Sequence, residues 1–324
     1  RFLLKTFSKK MIELLKNKPI IINTDLDGLI SGLILKKYLN CRVIGFSNSA
    51  EKFWLDKQSV NDFKDSCFVD MYVANPDTLA IDQHIISVNE EHHNLLSQNP
   101  NKINPNLMNQ RCFLPNNSYY NKYPFGTIHF IIALLEEAGI DLTDLNLQET
   151  AQNLSFMDLI LRSDDAMKTT IDSNYMQNAS EWWEWLKNTS NNGSVTTAFT
   201  TYLDNTDVAY ATNKKSEIAR VLRGTPFNCD SPDGGVREIL DGTRIKEGVK
   251  EYLQFIADIA NIELFDINAD FKTYKGLAKR TSLTPQQQNE LITSNTINGQ
   301  EIFSYAFVRT SNRENNFSYT VKNK

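Results

Sequence analysis

Three apolar runs each end in an acid, and these acids carry the chemistry of the chain. Ile20-Ile21-Ile22 leads into Asn23-Thr24-Asp25-Leu26-Asp27-Gly28, Cys67-Phe68-Val69 into Asp70, and Leu79-Ala80-Ile81 into Asp82-Gln83-His84. A carboxylate at the end of a buried strand is unfavourable unless it is paired or holds a cation. Repeated at three strand ends, the pattern predicts one shared site of hard oxygen donors, with an imidazole at its rim, of the kind that Mg²⁺ or Mn²⁺ occupies. The formal net charge is −5. A polyanionic substrate therefore needs metal ions to help neutralise it, and broad binding to long duplex DNA is disfavoured.

The elements that must position these acids follow from periodicity. Leu3 to Leu15 is apolar at helical spacing, and Pro19 opens a first strand that breaks at the Asp25/Asp27 turn. Leu29 to Tyr38 reads as a helix, with Gly28 allowing the tight entry. Arg42–Phe46, Cys67–Val73 and Leu79–Asp82 read as further strands, and strands alternating with helices predict a mainly parallel sheet. In such sheets ligands bind outside the carboxyl ends of the strands, where the acids stand. Residues 89–123 read as a long polar loop that carries His92 and His93 as solvated side chains. A helix runs from Ile128 to Ala138 with His129 packed in it, and Gln148 to Leu161 is helical, ending near Asp164. Trp182, Trp183 and Trp185 belong to a helix docking an aromatic face on the core, and Asn188 to Ser194 is a polar linker. Lys214 to Leu222 and Gly248 to Ile259 are helical, and the last sixty residues alternate in the β manner.

The expected fold class is α/β: a mainly parallel, five-stranded type of sheet flanked by helices, with a smaller C-terminal α+β domain. The boundaries expected are 1–187 for the catalytic domain, 188–250 for linker and connecting helices, and 251–324 for the substrate-binding domain. Four scattered cysteines read as free buried thiols of a cytoplasmic protein, and no apolar run of membrane length occurs.

The motifs taken together resemble the DHH phosphoesterase superfamily, which includes RecJ-type nucleases, oligoribonucleases, cyclic-dinucleotide phosphodiesterases and exopolyphosphatases. The resemblance spans roughly residues 18 to 165 and lies in the order of the motifs: Asp25-x-Asp27-Gly28, then Asp70, then Asp82-Gln83-His84. It implies one or two Mn²⁺ or Mg²⁺ ions and attack of a metal-bound hydroxide on phosphorus. Asp25, Asp27 and Asp70 would be ligands, with Asp70 the bridge. Asp82 would orient its neighbours, and His84 would contact phosphate or deliver a proton. The family's fourth motif fits Asp164, with Asp158 as the alternative. Arg309-Thr310-Ser311 is similar to the family's Arg-Ser pair, so Arg309, Ser311 and Ser31 are candidate substrate contacts. The Gly-rich run ending in His that follows that pair in the family has no counterpart here.

Two positions depart from the pattern: Asn23 and Gln83 stand where the family has histidines. An amide oxygen is a harder donor than imidazole and suits Mg²⁺. The expected function is metal-dependent hydrolysis of a phosphodiester or phosphoanhydride bond in a short oligonucleotide or nucleotide signal, by a chain that leaves room for a homodimer. The alternatives are a nucleotide-binding sensor or scaffold on the same fold, or a haloacid-dehalogenase-type phosphatase built on Asp25-Leu26-Asp27. The latter leaves Asp70 and His84 without a role.

Overall fold

The computed structural model describes residues 2–111, 121–145, 175–205, 208–308 and 317–322. In chain order its elements begin with α1 (Phe2–Leu15), β1 (Pro19–Asn23), α2 (Leu26–Leu39), β2 (Arg42–Ser47) and β3 (Lys52–Asp56). A 3-10 helix at Lys57–Asp65 precedes β4 (Cys67–Val69), β5 (Leu79–Ile81), α3 (Glu90–Ser97), β6 (Lys102–Ile103), α4 (Pro105–Met108) and α5 (Thr127–Glu137). Then come α6 (Tyr175–Thr189), α7 (Ser194–Asn205), α8 (Val208–Arg223), the short pair β7 (Leu240–Asp241) and β8 (Arg244–Ile245), and α9 (Glu247–Ala260). The chain closes with β9 (Phe271–Lys275), β10 (Leu277–Thr281), α10 (Pro285–Ser294), β11 (Thr296–Ile297), β12 (Gln300–Phe307) and β13 (Phe317–Val321).

The fold is α/β. Seven strands form one sheet in the order β6-β5-β4-β1-β2-β3-β9, the first five parallel and β3 antiparallel to both its neighbours. Sequence reading supplied the parallel centre and missed β3; β9 falls in the stretch read as alternating β but joins the large sheet through β3. β1 can sit at the centre because Ile20, Ile21 and Ile22 are apolar on both faces, and all three are fully buried. α2 lies against β1, with two glycines one turn apart at the contact. A Cβ on Gly28 would meet the Asn23 carbonyl at 2.4 Å, and one on Gly32 would meet Ile22 at 2.9 Å. Gly28 is thus required by close approach to the strand. The helix stops at Asn40, held in the left-handed region at φ 54.

The two faces of the sheet are covered differently. Ile20, Ile22, Phe46 and Val69 face a helical layer of α1, α2, α5, α6 and α9. Ile21, Leu55 and Phe68 face the other side, against Phe63 and Phe303. The C-terminal strands form a second sheet, order β10-β13-β12-β11, whose core takes in Tyr72, Ile85, Ile86 and Val88. Two backbone bonds dock it on the segments after β4 and β5: Ala74 N–H to the Phe303 carbonyl at 2.8 Å, and Phe307 N–H to the Ile85 carbonyl at 2.9 Å. Helix α9 and strand β9, from the stretch read as the start of the C-terminal domain, are built into the large unit.

Several local readings change. Residues 89–111 are not a polar loop: they hold α3, β6 and α4, and His92 and His93 are buried, 2% and 4% exposed. Burial pushes His92 down to about 4, so it is neutral, and its Nδ1 accepts from Val88 N–H. Asn188 to Ser194 is a tight turn between α6 and α7. Ser190 is buried there, and the Glu136 carboxylate accepts from Val195 N–H at 2.6 Å and Thr196 N–H at 3.0 Å. The last sixty residues include α10, announced by a Thr284-Pro285-x-Gln287 capping box that the β reading passed over. The tryptophan helix packs as expected: Trp182 and Trp183 bury their rings against Tyr123 and Phe125. Cys41, Cys67 and Cys229 are buried free thiols, and the helix expected at 148–161 lies outside the described residues.

Candidate metal centre

Asp25 follows Asn23 and Thr24 out of β1 and caps α2, accepting from Gly28 N–H at 3.0 Å. Asn23 stands between the acids: its amide nitrogen donates to Asp25 Oδ2 and to Asp70 Oδ2, each at 3.0 Å. Its oxygen accepts from Thr24 N–H at 2.8 Å, so the side chain is a donor toward the site. Asp70, the residue after β4, sits at φ 60, a conformation that Asp and Asn tolerate better than most side chains. It is 1% exposed, and its second oxygen accepts from the Thr127 hydroxyl at 2.7 Å. Asp27 is also buried and turns to α5: Oδ2 accepts from Thr127 N–H and Oδ1 from Ile128 N–H, both at 2.8 Å. The carboxylate expected as a metal ligand thus also caps the first turn of α5.

The third strand end brings Asp82 and His84 to the same place. Asp82 is 1% exposed, with Oδ1 2.6 Å from His84 Nδ1 and Oδ2 accepting His84 N–H at 3.1 Å. One carboxylate thus fixes both the loop and the ring, directing Nε2 away from itself. One ligand atom each from Asp70, Asp82 and His84 lies within 4.8 Å of the others. These donors fit a divalent cation: two hard carboxylate oxygens, well buried, beside one imidazole. Asp25, partly buried, is next to this group. Its carboxyl is pushed well above its usual range, first by burial and then by the charges of Asp70, Asp233 and Asp27. A nearby cation relieves that repulsion.

Of the other predicted residues, Gln83 is buried between Asp82 and His84, its main-chain carbonyl accepting from Asn106 Nδ2 at 2.7 Å, and Ser31 is fully buried in α2. Asp158, Asp164, Arg309 and Ser311 lie outside the described residues.

Sequence reasoning missed the residues that hold the acids. Asn104 and Asn106 clamp the Asp82-Gln83-His84 loop through the carbonyls of His84 and Gln83, and Asn106 also accepts Tyr123 N–H at 2.9 Å. Thr127 reaches Asp70, and a helix start at Gly126-Thr127 was the available signal. The turn Ser231-Pro232-Asp233-Gly234-Gly235 folds back over the β1–α2 junction. The Asp233 carbonyl accepts Leu26 N–H at 3.0 Å, and the Val236 carbonyl accepts the Thr24 hydroxyl at 3.1 Å. Gly234 there, at φ 87, lies so close to Tyr252 that a Cβ would meet its hydroxyl at 2.1 Å. Among the described residues, no helix is long and apolar enough to cross a membrane. Comparison of the chain with family models, with curated proteins and with solved structures gives no match.

Proposed function

We propose that the chain is a metal-dependent phosphoesterase of the DHH kind, hydrolysing a phosphodiester or phosphoanhydride bond in a short oligonucleotide or nucleotide signal. The observation that carries this reading is the convergence of Asp70, Asp82 and His84 at the carboxyl ends of adjacent parallel strands, with ligand atoms within 4.8 Å of one another. Asp70 and Asp82 would hold Mg²⁺ or Mn²⁺, which would supply charge neutralisation at phosphorus and acidify an attacking water. The protein's own groups then divide the work. Asp82 holds the His84 ring by Nδ1, which leaves His84 to contact a phosphoryl oxygen or pass a proton to the leaving group. Asn23 and Thr127 fix the two oxygens of Asp70.

A second reading, a nucleotide sensor on the same fold, draws support from Asn23, whose amide already engages one oxygen each of Asp25 and Asp70. One experiment separates the two: turnover of a dinucleotide, a short RNA, a short DNA, a cyclic dinucleotide, pyrophosphate and tripolyphosphate with Mg²⁺, Mn²⁺ or EDTA, beside Asp70→Asn. Asparagine accepts the left-handed backbone at φ 60, so the variant removes charge without adding strain. Metal-dependent turnover that falls by about a hundredfold or more in the variant supports the hydrolase. Metal-independent nucleotide binding with no turnover supports the sensor.

A further inference from the structure

One row of cross-strand partners leads away from the centre. Asn23 pairs with Ser47, Ser47 with Phe53, and Phe53 with Tyr274, across β1, β2, β3 and β9. Partners in register point to the same face, so Phe53 and Tyr274 lie on the face that carries Asn23. With strands about 4.8 Å apart, Phe53 is about 10 Å and Tyr274 about 14 Å from Asn23. At about 3.4 Å of rise per stacked nucleotide that is a three- to four-residue span of strand, and fewer if extended.

The end of the row is aromatic and partly open. The Phe53 ring stacks on Tyr274 (centroids 4.8 Å, planes 8° apart), on Phe63 (5.4 Å, 9°) and on Phe303 of the C-terminal sheet (5.6 Å, 20°). All four rings keep part of their surface in solvent. Phe53, Tyr274 and Phe303 line a cavity of about 200 Å³ between the two sheets. A dry cavity of about 150 Å³ admits benzene, so this one has room for a single nucleobase. Lysines surround it. The Lys272 ammonium lies over the Tyr274 ring at 4.9 Å, and Lys52, Lys275 and Lys322 stand at the rim. The rim lysines pair with Glu238 at 2.6 Å, Glu51 at 3.8 Å and Glu301 respectively. The exposed pairs with Glu51 and Glu301 are weak, so a phosphate competes with those glutamates readily.

We propose that this cavity is a base-stacking subsite, which makes the substrate of the neighbouring centre a single-stranded oligonucleotide in place of a bare phosphoanhydride. The proposal rests on the phosphoesterase reading for its catalytic meaning, and stands on the aromatic row for its binding. A flat ring enters along the open edge of this aromatic cluster, with the strand's phosphates at the rim lysines and Lys52, on β3, on the side of the acids.

The test is binding of a four-nucleotide single-stranded RNA and of an abasic strand of equal length, in EDTA, to the wild-type chain and to Tyr274→Leu and Phe303→Leu. Leucine keeps an apolar side chain without the stacking face, and thermal unfolding reports whether each variant is folded. Stacking contributes enough per base that the RNA is expected to bind about tenfold tighter than the abasic strand. Both folded variants should lose about tenfold toward the RNA and nothing toward the abasic strand. Equal wild-type affinity for the two strands, unchanged RNA binding in both variants, or equal loss of both strands overturns the proposal. Tripolyphosphate turnover with Mg²⁺ or Mn²⁺ tests the centre separately. Metal-dependent cleavage without base preference leaves the phosphoesterase and removes the subsite, and base-dependent binding without any turnover does the reverse.

Discussion

Asp27→Asn is expected to lower stability by about 2–4 kcal/mol in the absence of any metal. Both Asp27 oxygens accept from the first turn of α5, at 2.8 Å each, in a position 1% exposed to solvent. A hydrogen bond to a charged group contributes about 1.5–3 kcal/mol, and a buried amide left without an acceptor costs about 1–3 kcal/mol. Asparagine keeps one oxygen and turns an NH₂ toward the other backbone N–H, so one bond is lost outright. The favourable charge at the helix N-terminus goes with it. Urea unfolding at neutral pH in EDTA measures the effect. With a slope of about 3 kcal/mol per molar, the midpoint should fall by about 1 M, and further in Asp27→Ala, where both acceptors go. A variant that unfolds at the wild-type midpoint and differs only in its response to metal would show Asp27 to be a ligand and refute the cap.

Two further outcomes follow from buried charge. Asp25 is raised above its ordinary 3.8, by burial first and then by Asp70, Asp233 and Asp27. Between 3.8 and the raised value the folded protein binds a proton that the unfolded chain does not, so this contribution is complete below 3.8 and is lost as pH rises through the folded value. Asp25→Asn should therefore flatten the fall in metal-free urea midpoint with rising pH and be at least as stable as wild type at neutral pH; an unchanged slope sinks the assignment. Lys102, 6% exposed, donates to the carbonyls of Val73 at 2.8 Å, Asn75 at 2.7 Å and Thr78 at 2.6 Å, and burial pushes its ammonium down to about 7. Lys102→Met leaves three carbonyls without that donor, each worth about 1–3 kcal/mol, partly offset by no longer burying a cation. A net loss of about 2–4 kcal/mol in denaturant titration is expected, and a gain in stability would refute it.

How much of this was legible follows from how local each signal is. The β1–turn–α2 unit could be read because a β-branched run, two acids and a glycine stand together in nine residues, Ile20 to Gly28. Asp70 and Asp82 could be read because an acid closing an apolar strand is anomalous by itself. Strand β3 could not, because Lys-Phe-Trp-Leu-Asp is short and mixed and is fixed by pairing with β2 and β9; and β9, legible as part of an alternating tail, could not be placed in the large sheet, because its partner there is more than two hundred residues away. The burial of Lys102, His92 and His93 is equally invisible in composition, because carbonyls and packed rings supplied from elsewhere make it tolerable. The amide clamp of Asn104 and Asn106 looked like ordinary polar loop, since asparagine is common in loops for reasons of turn geometry. Asp233 approaches Asp25 only because the chain returns to β1 after more than two hundred residues.

The amide at residue 23 bears on how many ions the proposed centre takes. A histidine there could ligate a cation through one ring nitrogen and give the other N–H to one carboxylate, but not donate to two acids while ligating a metal. Asn23 gives one hydrogen to Asp25 and one to Asp70, and spends its oxygen on Thr24 N–H. It acts as a neutral spacer that reduces repulsion between two carboxylates without a cation. Both oxygens of Asp27 accept from α5. The donors that still converge, Asp70, Asp82 and His84, lie toward β4 and β5. In the proposed phosphoesterase this favours one ion over a pair, with charge at the transferred phosphorus neutralised from the β4–β5 side and His84 and the lysine-lined face supplying the rest.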